Sequence, residues 1–273
     1  MTLRVLTWNI HSGVGRDGRL DLERIARVLR SAEPDLAALT EVSRYWPQRG
    51  DVDQARYLAG LAGLPVRRFA PAFRRGRAAF GNALLSRYPL RRVTARTLPP
   101  WRRAPALLGL AGRPEPRLLL AAQLRPDRET SIPVAVTHLG LDAAERARQS
   151  LAVAGWIRQA GPLAILAGDF NASLEAEELS PLRGSLSDSC AGSAEATYPS
   201  ERPRYRIDHI LVGRGWRVVR AGLWRDPGGE SALASDHLPV LAELEAVAGT
   251  GAAHAPPEGP APVRPLPPSL PGA

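Results

Sequence analysis

At 273 residues the chain is long enough to bury a substantial core as one α/β domain. Its formal charge of +9 favours an anionic partner, but all 36 basic residues are arginine and Ala, Gly and Pro are abundant, so the composition reflects genome-wide bias as much as selection for such a partner. A single cysteine, Cys190, excludes an internal disulfide, and the lack of any run of about 18 apolar residues argues against a membrane-spanning helix.

Strand and helix patterns follow one another from the first residues. Residues 3–10 predict a strand that begins so early that we expect no secretion signal before it, and together with the unpaired cysteine this predicts a cytoplasmic protein. Asp21 is a candidate N-cap for a helix over residues 22–32. Residues 36–40 then predict a buried strand that places Glu41 at its end.

Between residues 52 and 138 the pattern changes from helical to extended. Residues 52–62 predict a second helix, and the sequence after it predicts a basic loop followed by a strand over residues 82–86. Polar turns separate four further apolar segments, which we predict to be successive antiparallel strands over residues 91–98, 106–110, 117–123 and 132–138.

The longest predicted helix opens the last third of the domain. It covers residues 143–160, and one face carries Ala147, Leu151, Ala154 and Ile157. The sequence LAILAGDFNA then predicts a buried strand that delivers Asp169 to its exposed end. A short helix in EAEELSPLRG follows, and the domain is completed by strands over residues 207–212, 218–223 and 240–244.

Composition divides the chain into a domain over residues 1–246 and a tail over residues 247–273. Pro, Ala and Gly dominate the tail, which cannot bury enough apolar surface to offset the entropy of ordering it, so we predict disorder. The segment VRPLPPSLP is either a proline-rich recruitment motif or an ordinary proline-rich tail.

Polar side chains stand at the ends of predicted apolar strands at five places along the chain, and a sixth group comes just before the last strand. An isolated pair such as Asp169 and Asn171 would equally well begin a turn, because Asp and Asn bond their own backbone there. The polar groups are, in order, Asn9 with His11, Glu41, His138, Asp169 with Asn171, Asp208, and Asp236 with His237.

This ordered set resembles the endonuclease/exonuclease/phosphatase superfamily, which includes deoxyribonuclease I, exonuclease III, the inositol polyphosphate 5-phosphatases and the neutral sphingomyelinases. The resemblance runs from residue 3 to about residue 244. It implies an α/β fold of the deoxyribonuclease I type, a four-layer sandwich in which two packed mixed β-sheets are flanked by helices.

Hydrolysis of a phosphate ester needs stabilisation of the charge on the phosphoryl group, an aligned water and help for the leaving oxygen. Glu41 offers the hard oxygen ligand that Mg²⁺ prefers, and Mn²⁺ would also fit. Asn9 either adds an amide oxygen to the metal or orients the phosphate. Asp236 is a candidate to bind the metal directly or through water.

Two groups are candidates for proton transfer. Asp169 would orient and deprotonate the attacking water, with Asn171 donating to a phosphate oxygen. Asp208 would fix the tautomer of His237 and raise its basicity, so that the imidazole contacts the phosphoryl group or the water. The sequence leaves open which of Asp169 and His237 is the base and which binds phosphate.

Several further residues are weaker candidates. His138 matches the family position of a second residue that contacts phosphate or stabilises the leaving group, although a lone histidine at a strand end is commonly structural. Asn82 either faces the site or caps a turn. Tyr205 and Arg206 would line the site, and His209 is left out because it would point to the opposite face of its strand.

The chain departs from the family pattern at two positions. Thr40 stands where many relatives carry Gln before the metal-binding Glu, so we expect altered support for Glu41 and no loss of metal. His11 stands where some nuclease branches carry Asp, which weakens the case for a second acidic metal site. His11 would then either touch a phosphate or pack as a strand-end histidine.

These observations predict a Mg²⁺-dependent phosphohydrolase, and specifically a phosphodiesterase acting on nucleic acid, a phospholipid head group or a small phosphoester. Nucleic acid would require a basic face, which Arg74, Arg75 and Arg77 with Arg102 and Arg103 would provide. We expect a monomer, with peripheral membrane contact open. The alternative is an inactive binding or scaffold module. A zinc enzyme is disfavoured because the single cysteine has no partner motif. A serine hydrolase is disfavoured because no G-x-S-x-G elbow is present.

Overall fold

Apolar strands form two six-stranded sheets in the computed structural model, which describes residues 1–100 and 115–247. The strands are β1 (Thr2–Asn9), β2 (Leu36–Arg44), β3 (Val66–Arg75), β4 (Ala78–Ser86), β5 (Leu90–Thr97), β6 (Leu118–Leu124), β7 (Ile132–His138), β8 (Ile165–Asp169), β9 (Ser187–Asp188), β10 (Asp208–Val212), β11 (Trp216–Leu223) and β12 (Val240–Ala246). The α-helices are α1 (Leu22–Ala32), α2 (Gln54–Leu61), α3 (Ala143–Ala160), α4 (Ser180–Arg183) and α5 (Ser231–Ala234).

Both sheets are mixed. The first has the strand order β11-β12-β1-β2-β4-β3, and the second has the order β5-β6-β7-β8-β10-β9. The pairs β1/β2 and β7/β8 are parallel, and the other pairings are antiparallel. Parallel neighbours need a crossover connection, and α1 and α3 supply it. Each sheet is thus built around one strand-helix-strand unit.

Three apolar layers hold the sheets and helices together. The central layer lies between the two sheets and includes Val5 and Leu36 from the first sheet and Val134 and Ile165 from the second. A second layer joins α1 and α2 to the outer face of the first sheet. A third layer joins α3 and α4 to the outer face of the second sheet. The result is the predicted four-layer sandwich of two mixed sheets flanked by helices.

Side-chain caps begin the longer helices, at the predicted Asp21 and at a second position. An Asp21 carboxylate oxygen accepts the backbone N–H of Arg24 at 2.8 Å, which begins α1 as expected. Asp142 caps α3 in the same way by accepting the N–H of Glu145 at 3.0 Å. These caps satisfy donors that have no partner within the helix and so fix the helix starts.

The predicted apolar face of α3 is wrong at Leu151, which is 61% exposed. The buried face instead includes the polar residue Gln149, whose amide accepts the N–H of Gly140 at 2.8 Å and donates to Glu145 at 2.8 Å. Because buried polar groups occupy part of the core-facing side, a pattern based on apolar residues alone places the helix in the wrong rotation.

The predicted basic loop after α2 is also wrong. Residues Val66–Arg75 form β3, the edge strand of the first sheet, which pairs with β4 in a hairpin. The chain turns at Gly76, whose φ of +59° suits glycine. Arginines at both ends of β3 hid its alternating pattern, and pairing with β4 makes it a strand.

Three predictions lie wholly or partly outside the described residues. They are the strand over residues 106–110, the tail beyond residue 247, and the part of the basic face at Arg102 and Arg103. The short helix predicted in EAEELSPLRG is present as a 3₁₀ turn, Glu177–Leu179, followed by α4. Within residues 1–100 and 115–247, no helix is both long and apolar enough to cross a membrane.

Candidate active site

Three neighbouring strands of the second sheet carry polar side chains at the same level. Asp169 of β8 pairs with His138 of β7 on one side and with Asp208 of β10 on the other. Side chains at paired positions project from the same face of a sheet. All three residues are buried, and His138 Nε2 lies 3.4 Å from Asp169 Oδ2.

The turn after β8 fixes the carboxylate of Asp169. Gly168 has φ of +144°, and a Cβ there would lie 1.9 Å from the carbonyl oxygen of Thr137, so only glycine lets β8 approach β7 this closely. Asn171, with φ of +51°, donates its N–H to Asp169 Oδ1 at 2.9 Å. The Asn171 side-chain amide donates to the carbonyl oxygen of Leu139 at 2.8 Å. The motif therefore does form a turn, and that turn is what orients the Asp169 carboxylate.

His237 joins these residues from the loop between α5 and β12. Its Nδ1 lies 2.8 Å from Asp208 Oδ2, and its Nε2 lies 3.8 Å from Asp169 Oδ2. The loop is anchored because the His237 carbonyl accepts the indole N–H of Trp8 at 2.8 Å. The Tyr198 ring packs on the imidazole, with centroids 4.7 Å apart. The predicted pairing of Asp208 with His237 is thus present in the structure.

The first sheet contributes Asn9 and Glu41. The side-chain amide of buried Asn9 donates to Glu41 Oε1 and to Asp169 Oδ2, both at 3.0 Å, and so links the two sheets. Glu41 does not end its strand as predicted, because β2 continues to Arg44. It lies in a β-bulge, where the register with β4 shifts and its own φ is +56°. We call Asn9, Glu41, His138, Asp169, Asp208 and His237 the site cluster.

Support for Glu41 comes from Ser12. The Ser12 hydroxyl donates to the Glu41 carbonyl oxygen at 3.1 Å and is 2.8 Å from the Ser43 hydroxyl. The Thr40 hydroxyl is buried without a hydrogen-bond partner among the described residues. Thr40 therefore leaves the bulge to be held by Ser12 and Asn9.

Burial and mutual charge shift the titration of the cluster. Burial and the neighbouring Asp208 carboxylate raise the pKa of Asp169 to about 7, against the lowering effect of His237 and of hydrogen bonds from Asn9 and Asn171. Burial opposes a charge on His237, but the carboxylates of Asp208 and Asp169 outweigh it and raise the pKa of His237 to about 10.

The pKa of His138 is shifted in the opposite direction to that of His237. Burial and the charges of Arg117 and His237 hold the pKa of His138 well below its usual value. The two imidazoles beside Asp169 therefore differ at neutral pH: His237 is charged and His138 is neutral.

The remaining predicted residues surround the cluster. His11 donates its N–H to Asn9 Oδ1 at 3.0 Å, and its Nδ1 lies 3.8 Å from Asp236 Oδ1. The His11 and Asp236 side chains are 39% and 38% exposed, which places them at the rim. Asn82 is buried, donates to the carbonyl oxygen of Leu118 at 3.3 Å and lines a narrow gap beside His138.

Sequence reasoning missed two charged residues at that gap. Glu115 and Arg117 line it, and Arg117 Nη1 donates to Glu115 Oε1 at 2.9 Å. The Arg117 side chain is only 7% exposed, and its charge contributes to the lowered pKa of His138. Both stand in PEPRLLL, which has no recognisable motif, and their proximity to the cluster arises only from the packing of β6 beside β7.

Three residues near Asp208 in the sequence lie elsewhere. The buried His209 ring packs on Phe170 with centroids 5.4 Å apart, and its Nε2 lies 3.1 Å from the carbonyl oxygen of Ala172, as strand alternation predicted. Arg206 forms an ion pair with Asp188 on β9. The Tyr205 side chain is largely exposed to solvent. None of the three contacts the site cluster.

The donor atoms fit a divalent cation. One atom each of Asp169, Asp208 and His237 lies within 4.8 Å of the others, and all three residues are buried. Asp208 Oδ1 is buried with no hydrogen-bond donor among the described residues, a costly arrangement for a carboxylate unless a cation faces it. Glu41 adds a further carboxylate beside Asn9. Carboxylate oxygens are the typical ligands of hard divalent metals.

Solved structures share this architecture. An endonuclease/exonuclease/phosphatase from Beutenbergia cavernae is 25% identical, with a TM-score of 0.71 over 90% of this chain and 72% of that chain. A mannosyl-6-phosphatase from Bacteroides thetaiotaomicron is 18% identical, with a TM-score of 0.68 over 89% of this chain and 99% of that chain. The human Nocturnin catalytic domain with bound sulfate is 20% identical, with a TM-score of 0.66 over 90% of this chain and 94% of that chain. These neighbours share its deoxyribonuclease I-like fold.

A search of curated proteins gives no significant match. The model of the endonuclease/exonuclease/phosphatase family matches residues 6–237, a span that contains every member of the site cluster. The chain therefore belongs to the endonuclease/exonuclease/phosphatase family.

Proposed function

We propose that this chain is a metal-dependent hydrolase of phosphate esters, that phosphodiesters are its preferred substrates, and that Mg²⁺ is its metal, replaceable by Mn²⁺. The observation that carries the proposal is that four buried side chains converge, two carboxylates and two imidazoles. They are Asp169, Asp208, His138 and His237. Membership of a family of phosphoester hydrolases supports it.

Asp169 and His237 take different roles in this proposal. His237 is held by Asp208 and charged at neutral pH, because its pKa is raised to about 10, so its Nε2–H is suited to donate to a phosphoryl oxygen. Asp169 has a pKa raised to about 7, close to the value that favours a general base near neutral pH, and accepts the proton of the attacking water. Donors from Asn9 and Asn171 keep its carboxylate in one orientation.

The residues around this pair complete the site. Neutral His138, 3.4 Å from Asp169, donates a hydrogen bond towards the leaving oxygen through its ring N–H. His11 is positioned at the rim to contact other substrate atoms, and buried Asn82 is proposed to support the site from the narrow gap beside His138. Asn171 acts mainly through the turn that orients Asp169, since its amide already bonds the carbonyl of Leu139.

Glu41, Asn9 and Asp236 are the proposed metal-binding groups. A divalent metal bound there supplies Lewis-acid stabilisation of the charge that develops on the phosphoryl oxygens. The structural neighbours include a phosphatase for a sugar phosphate, so the fold alone does not choose among nucleic acid, phospholipid head groups and small phosphoesters. The catalytic unit is proposed to span residues 1–246, with a cytoplasmic location and a monomeric state still predictions.

Hydrolysis of bis-p-nitrophenyl phosphate with and without Mg²⁺ tests the proposal. Wild-type protein should release nitrophenol only with the metal, and chelation should abolish turnover. Asp169→Ala should lower kcat/KM by about 10³-fold, because it removes the proposed base.

A matched control is His209→Gln, which alters a buried histidine outside the cluster. It should retain activity if folded, which circular dichroism checks. Full turnover in Asp169→Ala or in the presence of chelator contradicts the proposal. Metal binding by a folded protein that hydrolyses no phosphoester would instead favour the binding or scaffold module.

A further inference from the structure

Charge is distributed unevenly along the chain. Residues 54–114 contain thirteen arginines and no aspartate or glutamate. All 27 acidic residues lie outside this segment, where they outnumber the remaining 23 of the 36 basic residues. Compositional bias explains why arginine replaces lysine, but it does not remove acidic residues from one segment. The positive net charge of the protein therefore comes entirely from residues 54–114.

The fold places much of this segment at one edge of the sandwich. β3 lies at one edge of the first sheet and β5 at one edge of the second, and the two strands meet where Arg68 Nη2 donates to the carbonyl oxygen of Leu90 at 3.0 Å. Seven arginines on these two strands form no ion pair with a carboxylate among the described residues. We call them the basic edge: Arg67, Arg68, Arg74, Arg75, Arg91, Arg92 and Arg96.

An open cleft of about 570 Å³ lies at the basic edge. Arg44, Arg67, Arg68 and Arg91 line it, and Asp53 is its single carboxylate. Asp53 is paired with Arg44 at 3.0 Å, so three guanidinium groups remain without a counter-charge. Arg68 is fixed in advance by donating to the carbonyl oxygens of Arg67, at 2.7 Å, and Leu90. The cleft is thus organised to receive an anion.

Aromatic rings accompany the arginines along β3. Phe69 lines the cleft and lies 6.0 Å from the Arg44 guanidinium. At the other end of the strand, half-buried Phe73 packs against Trp46 and Phe80, with centroids 5.7 Å apart in both pairs. The arginine pairs at the two ends of β3 flank these half-buried rings. Cations beside aromatic rings on an extended surface are typical of sites for single-stranded nucleic acid, where phosphates meet the cations and unpaired bases stack.

An anionic membrane fits this surface less well. Peripheral membrane surfaces combine basic groups with apolar side chains that insert below the head groups. Among the described residues of β3 and β5, Val93 is the one large exposed hydrophobic side chain, and it is only 38% exposed. The basic edge therefore has the charge for a membrane surface and lacks its apolar component.

We propose that the basic edge binds the backbone of single-stranded nucleic acid, with phosphates occupying the cleft at Arg67, Arg68 and Arg91. The middle of β3 passes the site cluster, because Ala72 lines the same narrow gap as His138. A strand bound along β3 would accordingly run beside the cluster. Binding at the basic edge does not require hydrolysis at the site, so this proposal stands independently of the proposed function.

Fluorescence anisotropy with a labelled oligothymidylate of roughly 20 nucleotides, in chelator, tests this proposal. The variant Arg67→Gln/Arg68→Gln/Arg91→Gln should bind at least about 10-fold more weakly at physiological salt. Its slope of log K against log salt should be shallower by about 2, because each phosphate contact on a single strand contributes about 0.7. If the triple variant unfolds, the double variant Arg67→Gln/Arg91→Gln replaces it, because it alters only exposed side chains. It should show the same changes in affinity and salt slope, in smaller degree.

The matched control is Arg30→Gln/Arg128→Gln/Arg158→Gln, which removes the same charge at exposed positions outside residues 54–114. It should bind within about 2-fold of wild type. Equal weakening by the cleft and control variants would overturn the proposal, since net charge alone would then explain binding. Failure of wild type to bind the oligonucleotide, with Arg67-dependent binding to phosphatidylserine vesicles, would also overturn it and assign the edge to a membrane. Because every readout is binding without metal, an inactive site leaves these outcomes unchanged.

Discussion

The two sheets contribute to the site cluster in different ways. In the second sheet, His138, Asp169 and Asp208 stand at directly paired positions on three neighbouring strands, so strand geometry alone brings them together. In the first sheet, Asn9 is paired with Thr40, and Glu41 reaches the cluster only through a bulge with a left-handed backbone. One half of the site is fixed by regular pairing, and the other half depends on a local irregularity.

The two halves of the site also differ in burial. Asp169 and Asp208 are at most 1% exposed and interact with His237, whereas the Glu41 side chain is half-buried beside Asn9. A buried, mutually bonded group is suited to hold protons in fixed places, and a partly exposed carboxylate is suited to exchange water for metal. We therefore expect the second-sheet half to govern the chemical step and the first-sheet half to govern metal affinity.

The largest effect is expected for Asp208→Asn in the second-sheet half. The amide cannot hold His237 as a charged donor, so kcat/KM for bis-p-nitrophenyl phosphate should fall about 10³-fold, and excess Mg²⁺ should not restore it. The pKa of the His237 imidazole, followed by NMR, should drop in the same variant. Asp188→Asn, which alters the carboxylate paired with Arg206, is the control and should stay near wild type. Activity within a few-fold of wild type in Asp208→Asn would remove the distinction between the halves.

A smaller effect, of a different kind, is expected for Glu41→Gln. Loss of one carboxylate should weaken Mg²⁺ binding by about 10- to 100-fold, while kcat at saturating metal stays within a few-fold of wild type. Titration of activity against Mg²⁺ separates the two quantities. Glu23→Gln, on the exposed side of α1, serves as the control. A loss that persists at saturating metal would place Glu41 in the chemical step.

The same contrast explains what the sequence could predict. Asn9, His138 and Asp169 each end an apolar run and Asp208 begins one, and the position of a strand end is readable from that change in polarity. The bulge at Glu41 was missed because LTEVSR continues an acceptable strand pattern, and no glycine marks the positive φ. Strand ends are local properties, whereas a bulge depends on the register of the neighbouring strand.

Other failures have similar causes. β3 was predicted as a loop because VRRFAPAFRR has arginines at both ends and Pro71 within it, and its extended form depends on pairing with β4. Tyr198 and Arg117 are far in sequence from the residues they approach, His237 and His138. Their roles follow from tertiary packing, which a single sequence without a motif does not specify.

The smallest expected effect concerns the pH dependence of stability of the metal-free protein, and it isolates the second-sheet half. The pKa of His237 is raised from 6.5 to about 10 on folding, so its contribution is fully present below pH 6.5 and is lost as pH rises towards 10. The pKa of Asp169 is raised to about 7, which acts in the same direction at lower pH.

Urea unfolding in chelator should give a free energy of unfolding about 1 kcal/mol lower at pH 8 than at pH 7. His237→Gln should flatten this decline, and Glu41→Gln should preserve it because Glu41 lies outside the imidazole–carboxylate pair. If the free energy of unfolding fell equally steeply with pH in His237→Gln and in wild type, His237 would not hold its proton in the folded protein.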